Sequence, residues 1–194
     1  MVPDKELAKR IASSHDTHAV KELIENLTNK NKNIQSDCIK TIDEVAKLKP
    51  QLISAYAENL MSLLNNQNNR LQWGAMAVLN SITDDCKPVI YSALPQIIAS
   101  ADYGSVITND HCVNILVKLA AIPEYTEDTL TLLMERILKS PPNQLPTYAE
   151  NALSVIDKEH KQVLIEILSS RLGDIETETK LKRIEKVLKK LQRL

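Results

Sequence analysis

Apolar positions in this chain recur at a fixed interval. Along residues 71–82, Ala75, Leu79 and Ile82 share one side of a helix, and a shift of 37 residues reproduces the triplet elsewhere. Backwards it falls on Cys38, Ile42 and Val45; forwards it falls on Cys112, Leu116, Leu119 and then on Ala149, Leu153, Ile156. A second helix keeps the same period, with rows Leu23, Leu60, Ile97, Met134, then Leu27, Leu64, Ala101, Leu138, then Ala19, Tyr56, Ala93, Leu130. All 24 cells are apolar in a chain that is 43% hydrophobic, where an arbitrary grid of that size would hold about 14 polar residues. The pattern therefore predicts a repeated pair of helices.

In chain order, residues 3–13 read as a capping helix, with Pro3 near its first turn and Leu7, Ala8, Ile11 and Ala12 on one face. Helix pairs follow over about 16–28 with 33–48, 51–65 with 69–84, 88–101 with 107–121, 124–139 with 145–157, and 159–172 with 176–193. Pro50, Pro88 and Pro123 mark the junctions, because proline cannot continue a helix from its interior. The expectation is one all-α domain over 1–194, with a cap at 1–15 and repeats at about 16–49, 50–86, 87–123, 124–158 and 159–194. The fifth unit breaks the period, as a terminal repeat with one solvated face should, and Gly173 reads as a helix stop.

Composition narrows the picture. Three glycines, no Phe and 3% aromatics disfavour strands and hairpins. The net charge of -1 conceals an asymmetry: residues 180–194 carry seven Lys/Arg against one Glu, which leaves -7 for residues 1–179 and argues against a broadly basic nucleic-acid surface on the body. The charged N-terminus does not read as a secretory signal, and no apolar run approaches bilayer length. Cys38 and Cys112 occupy one cell of the repeat two units apart, too far for a disulfide, so a reduced, cytoplasmic setting is expected.

A two-helix unit whose second helix opens on an apolar residue three or four before a small one resembles the HEAT and armadillo helical repeats. The residues that carry the likeness are Ile34-Gln35-Ser36-Asp37-Cys38, Leu71-Gln72-Trp73-Gly74-Ala75, Leu145-Pro146-Thr147-Tyr148-Ala149 and, more weakly, Thr108-Asn109-Asp110-His111-Cys112. The resemblance spans about residues 16–193 and implies a right-handed α-α superhelix of about five helix pairs. Many HEAT repeats carry Arg after that apolar residue, paired with an Asp of the neighbouring unit. Here Gln35, Gln72, Asn109 and Pro146 stand in its place.

Candidate chemistry is sparse. Gly74, Gly104 and Gly173 are isolated, which removes a phosphate-cradling loop. His15-Asp16-Thr17-His18 places two imidazoles at a helix start, but Asp16 reads as an N-cap and no further ligand is near in sequence, so no metal and no cofactor are expected. No assembled catalytic group is read, and a non-enzymatic scaffold is expected, binding another protein along the B-helix face that the family uses as its concave surface. That face offers Trp73, Asn80, Asp84, Asp110, Asn114 and Asn151. Trp73, the sole tryptophan, reads equally as an exposed anchor or as packing over neighbouring Ala and Met side chains. Two alternatives stand beside this. Trp73 and Asp110 resemble part of the set used by HEAT-like alkylpurine DNA glycosylases. The basic C-terminal helix, with Lys182, Arg183, Lys186, Lys189, Lys190 and Arg193, could contact an anionic surface such as lipid or nucleic acid, or simply be a solvated cap.

Overall fold

A computed structural model describes residues 5–194; Pro3 and the rest of the first four residues lie outside it. Among the described residues all regular structure is helical. Chain contacts divide it into two compact units, residues 1–115 and 116–194, with the boundary inside one helix.

The first unit begins with α1 (Lys5–Ser14), whose Ala8, Ile11 and Ala12 are buried against α3 (Lys32–Leu48). Between α1 and α2 (Thr17–Glu25), His15 sits at φ 53°, and the Asp16 carboxylate accepts the Ala19 N–H at 2.9 Å. Asp16 is thus the helix cap that its position suggests. The inward triplets of α3 and α5 (Asn69–Ile82) are buried, and these two helices pack closely along their length. Gly74 permits this approach, since a Cβ there would meet Ile39 Cγ1 at 2.5 Å.

The A-type helices depart from the expected continuous segments. In the second repeat, only α4 (Ala57–Met61) is α-helical, preceded by 3-10 turns at Pro50–Leu52 and Ser54–Tyr56. In the third, the expected helix over 88–101 is two helices, α6 (Lys87–Ser92) and α7 (Leu94–Tyr103), broken at Ala93. The Leu94-Pro95 pair explains the break: proline has no N–H to donate and its ring excludes a continuous helical backbone behind it. The helix that follows, α8 (Val106–Ala120), crosses the unit boundary.

The second unit holds α9 (Thr126–Lys139), α10 (Leu145–Ala152), α11 (Lys161–Ser170) and α12 (Glu178–Leu191). Here the register shifts at one position. Leu138 is 48% exposed while Ile137 is fully buried, and Leu133 is buried beside Met134. Leu130 and Met134 are buried as the rows predict, so only the last inward position of α9 moves, from Leu138 to Ile137. Gly173 lies in a 3-10 turn with no positive φ, so it is not the left-handed stop that its position implied. Instead Arg171 secures this corner. Its Nη1 donates to the carbonyls of Ile137, Leu138 and Ser140 at 3.1, 3.0 and 2.7 Å, capping the end of α9, and its Nε donates to Asp174 at 2.8 Å.

Three of the four residues that stand where HEAT repeats carry Arg, all but Pro146, make a ladder of neutral amides. Gln35 Nε2 donates to the Asn29 carbonyl at 2.8 Å, Gln72 Nε2 to the Leu64 carbonyl at 2.9 Å, and Asn109 Nδ2 to the Ala101 carbonyl at 2.8 Å. Each closes the end of an A-type helix onto the B helix that follows it. Neighbouring repeats are stitched by Asn68 to Gln35, Gln96 to the Met61 carbonyl and Ser100 to the Leu64 carbonyl, at 2.9, 2.9 and 3.0 Å.

Candidate binding groove

In the first unit, α3, α5 and the start of α8 enclose a groove of about 410 Å³. Its lining comes from three successive repeats. Ile39, Lys40 and Asp43 belong to α3; Arg70, Trp73, Gly74 and Ala77 to α5; Ile107 and His111 to α8. Trp73 is half-buried and forms part of the wall. The apolar surface of Ile39, Trp73, Ala77 and Ile107 is bordered by Lys40, Arg70, His111 and Asp43. A concave, mostly apolar cleft with a few polar groups is the usual form of a recognition site.

Asp43 carries the strongest electrostatic feature. Lys47 Nζ bridges Asp43 Oδ2 at 2.7 Å and Glu44 Oε1 at 2.9 Å. The other oxygen, Asp43 Oδ1, is shielded from solvent and receives no hydrogen bond within the described residues. The Lys47 hydrogen bond holds the Glu44 carboxyl below its ordinary range. Burial works against the Lys47 ammonium, but its bonds to Asp43 and Glu44 outweigh that and raise its pKa. A buried carboxylate oxygen without a donor is costly, and such atoms need an explanation.

The residues picked from sequence distribute unevenly around this groove. Asn80 reaches it through His111, its Nδ2 lying 3.2 Å from the imidazole Nδ1. Asp110 and Asn114 are half-buried on α8 but do not line the groove, and Asp84 is exposed in the 3-10 turn after α5. Asn151 is half-buried on α10 in the second unit, where its carbonyl accepts from Ser154 at 2.9 Å. The additional lining residues have a sequence signal of their own. Arg70 and Ile107 are one period apart, as are Gly74 and His111, and Arg70 and Ile107 lie one helical turn before the face positions Trp73 and Asp110.

The basic C-terminal helix α12 is not uniformly free. Lys182 pairs with Glu178 at 2.7 Å, and Arg183 pairs with Glu150 of α10 through Nη2 at 2.7 Å and Nε at 2.9 Å. This hydrogen-bonded pair lowers the Glu150 pKa and raises that of Arg183. Ile184, Val187 and Leu191, the apolar stripe of α12, are buried. Among the described residues no helix is long and apolar enough to cross a membrane.

This is the architecture of a helical-repeat protein of the armadillo/HEAT kind, and the comparison with solved structures bears that out. A designed armadillo repeat protein in complex with the peptide (KR)4 superposes with a TM-score of 0.70 at 17% identity, over 96% of this chain and 86% of that one. The crystal structure of an engineered protein, a structural-genomics target, superposes with a TM-score of 0.63 at 17% identity, over 97% of this chain and 90% of that one. Neither a protein-family model nor a curated protein sequence matches the chain.

Proposed function

We propose that the protein is a non-enzymatic binding module that takes a peptide segment of another protein into the groove of the first unit, with Trp73 as its anchor. One observation carries this reading: the only tryptophan, half-buried, walls an apolar groove with Ile39, Ala77 and Ile107 that Lys40, Arg70, His111 and Asp43 border. An apolar side chain of the partner would cover Ile39, Ala77 and Ile107, and its polar groups would meet Lys40, Arg70 and His111 at the border of the groove. Tryptophan lining a partly desolvated pocket is the residue type that most often dominates such binding. The fold supports the reading by analogy, since the designed armadillo protein it resembles holds a peptide.

The test is a displayed peptide library selected against the intact chain, with binding of the enriched peptides measured on two variants. Trp73→Ala should weaken binding by about 2 kcal/mol or more, on the order of 30-fold. Ala77→Leu, which fills the groove from a half-buried helical position, should abolish it while keeping the far-UV spectrum. Because Trp73 is the sole tryptophan, titration of the unaltered protein should also shift its emission. Peptides that bind both variants as well as the original, or no enrichment at all, would remove the proposal.

A second reading draws on Lys40, Arg70, Trp73 and Asp43 gathered around one groove, which is closer to a nucleic-acid cleft than the sequence alone suggested. Duplex DNA binding with a steep salt dependence would favour it.

A further inference from the structure

Four of the six cations of α12 fall into two pairs. Lys180 donates to Asn143 Oδ1 at 2.5 Å, and Arg183 is held by Glu150 and by Thr147 Oγ1 at 3.0 Å, so these two fasten α12 to the neighbouring segment. Lys186 and Lys190 lie further along the same side of the helix. They line a groove of about 450 Å³ between α10 and α12, with Leu153, Ser154 and Val187 as its other surfaces. Among the described residues neither ammonium has a carboxylate within ion-pair distance. The one acid of the groove, Glu150, is already neutralised by Arg183, which leaves the groove with a charge of two positive units.

We propose that this groove docks an acidic segment of a partner protein, with the partner's carboxylates paired to Lys186 and Lys190 and an apolar side chain resting on Leu153. Leu153 belongs to an inward row of the repeat yet is only half-buried, so the floor of the groove keeps apolar surface that nothing in the second unit covers. Cations beside exposed apolar surface fit a segment that alternates acidic and aliphatic residues. A lipid bilayer fits less well. The apolar stripe of α12 that would enter it, Ile184, Val187 and Leu191, is buried in the unit, and the cations stand between two helices. A nucleic-acid backbone would meet only two unpaired groove cations on a chain whose net charge is -1.

The experiment uses a fluorescein-labelled decapeptide of alternating Glu and Leu, titrated with the full chain at low salt and read by anisotropy. Lys186→Ala with Lys190→Ala should weaken binding about 5- to 10-fold, the effect of removing two partly exposed ion pairs. Lys182→Ala with Lys189→Ala removes the same charge from positions that do not line the groove, and should change binding by less than about 2-fold. Glu150→Gln, which deletes the groove's only anion, should tighten it. Equal losses in the two double variants would show a response to net charge alone and overturn the proposal. So would a peptide of alternating Gln and Leu that binds as well, or phosphatidylserine vesicles or duplex DNA that bind more tightly than the acidic peptide.

Discussion

At the scale of single residues, Gly74 shows how tightly fold and groove are coupled. It sits mid-helix, where alanine would ordinarily gain about 1 kcal/mol from propensity, yet a Cβ would stand 2.5 Å from Ile39 Cγ1 and 3.4 Å from Ile39 Cβ. A β-branched neighbour held near its own backbone has little freedom to retreat, so overpacking wins. Gly74→Ala is expected to lower stability by about 1–3 kcal/mol and to disturb the groove that both residues line. Gly173→Ala is the contrast: nothing lies within 4 Å of its Cβ and its φ is not positive, so it should be neutral or stabilising by up to about 1 kcal/mol. Urea denaturation of the two variants checks both signs. The same local detail explains which part of the groove was legible in the sequence. Lys40, Asp43, Trp73 and Ala77 fall on the face opposite the core triplet and can be read from the helical wheel. Arg70, Ile107 and His111 border that face, and their inclusion depends on how closely α3, α5 and α8 approach, a distance set by residues such as Gly74 that no wheel displays.

At the scale of elements, the amide ladder takes over a task that charged pairs perform in many HEAT repeats. Gln72 spans from α5 to the Leu64 carbonyl at the end of the preceding helical segment, a carbonyl that also accepts from Ser100 of the next repeat. Gln72→Ala removes a partly buried bond that closes the second repeat and should cost about 1 kcal/mol, read as a lowered urea midpoint with an unchanged slope. Being neutral, the ladder should keep its contribution at high salt, where surface ion pairs lose theirs. The first three B helices were legible because their apolar triplets keep one register from Cys38 to Leu119; in the fourth repeat α10 stops at Ala152, short of the expected 157, and Leu153 is only half-buried. The A helices were less so. Helical spacing gives a face but not continuity, and Pro95 divides α6 from α7. In α9, the adjacent apolar residues Ile137 and Leu138 offer two choices for the last inward position, and the observed one buries Ile137 in place of Leu138.

At the scale of the whole molecule, titration brackets the range of stability. Glu44, Glu150 and Asp157 all have lowered pKa values, through the Lys47 and Arg183 hydrogen bonds and, for Asp157, first the His160 backbone N–H and then its imidazole. A carboxyl with a lower pKa in the folded chain binds fewer protons there than when unfolded. Its contribution is therefore complete above the unfolded value, near pH 4–5, and is lost as pH falls through the folded one. The exposed Arg183–Glu150 pair adds only about 0.5 kcal/mol after screening by solvent. Cysteine sets the opposite limit. Burial, followed by the charge of Asp85, pushes the Cys86 thiol up to about 11, and burial with Asp37 raises Cys38 as well. Above about pH 8.5–9 the unfolded thiols ionise and the folded ones do not, so unfolding releases protons and stability falls with rising pH. Urea unfolding measured from pH 3 to 11 should therefore give a plateau between about pH 5 and 8.5. Cys86→Ala should flatten the alkaline limb and leave the acid limb in place, while Arg183→Ala should soften only the acid one. An alkaline limb that is identical with and without the Cys86 thiol would mean that the thiol ionises as readily in the folded chain as in the unfolded one.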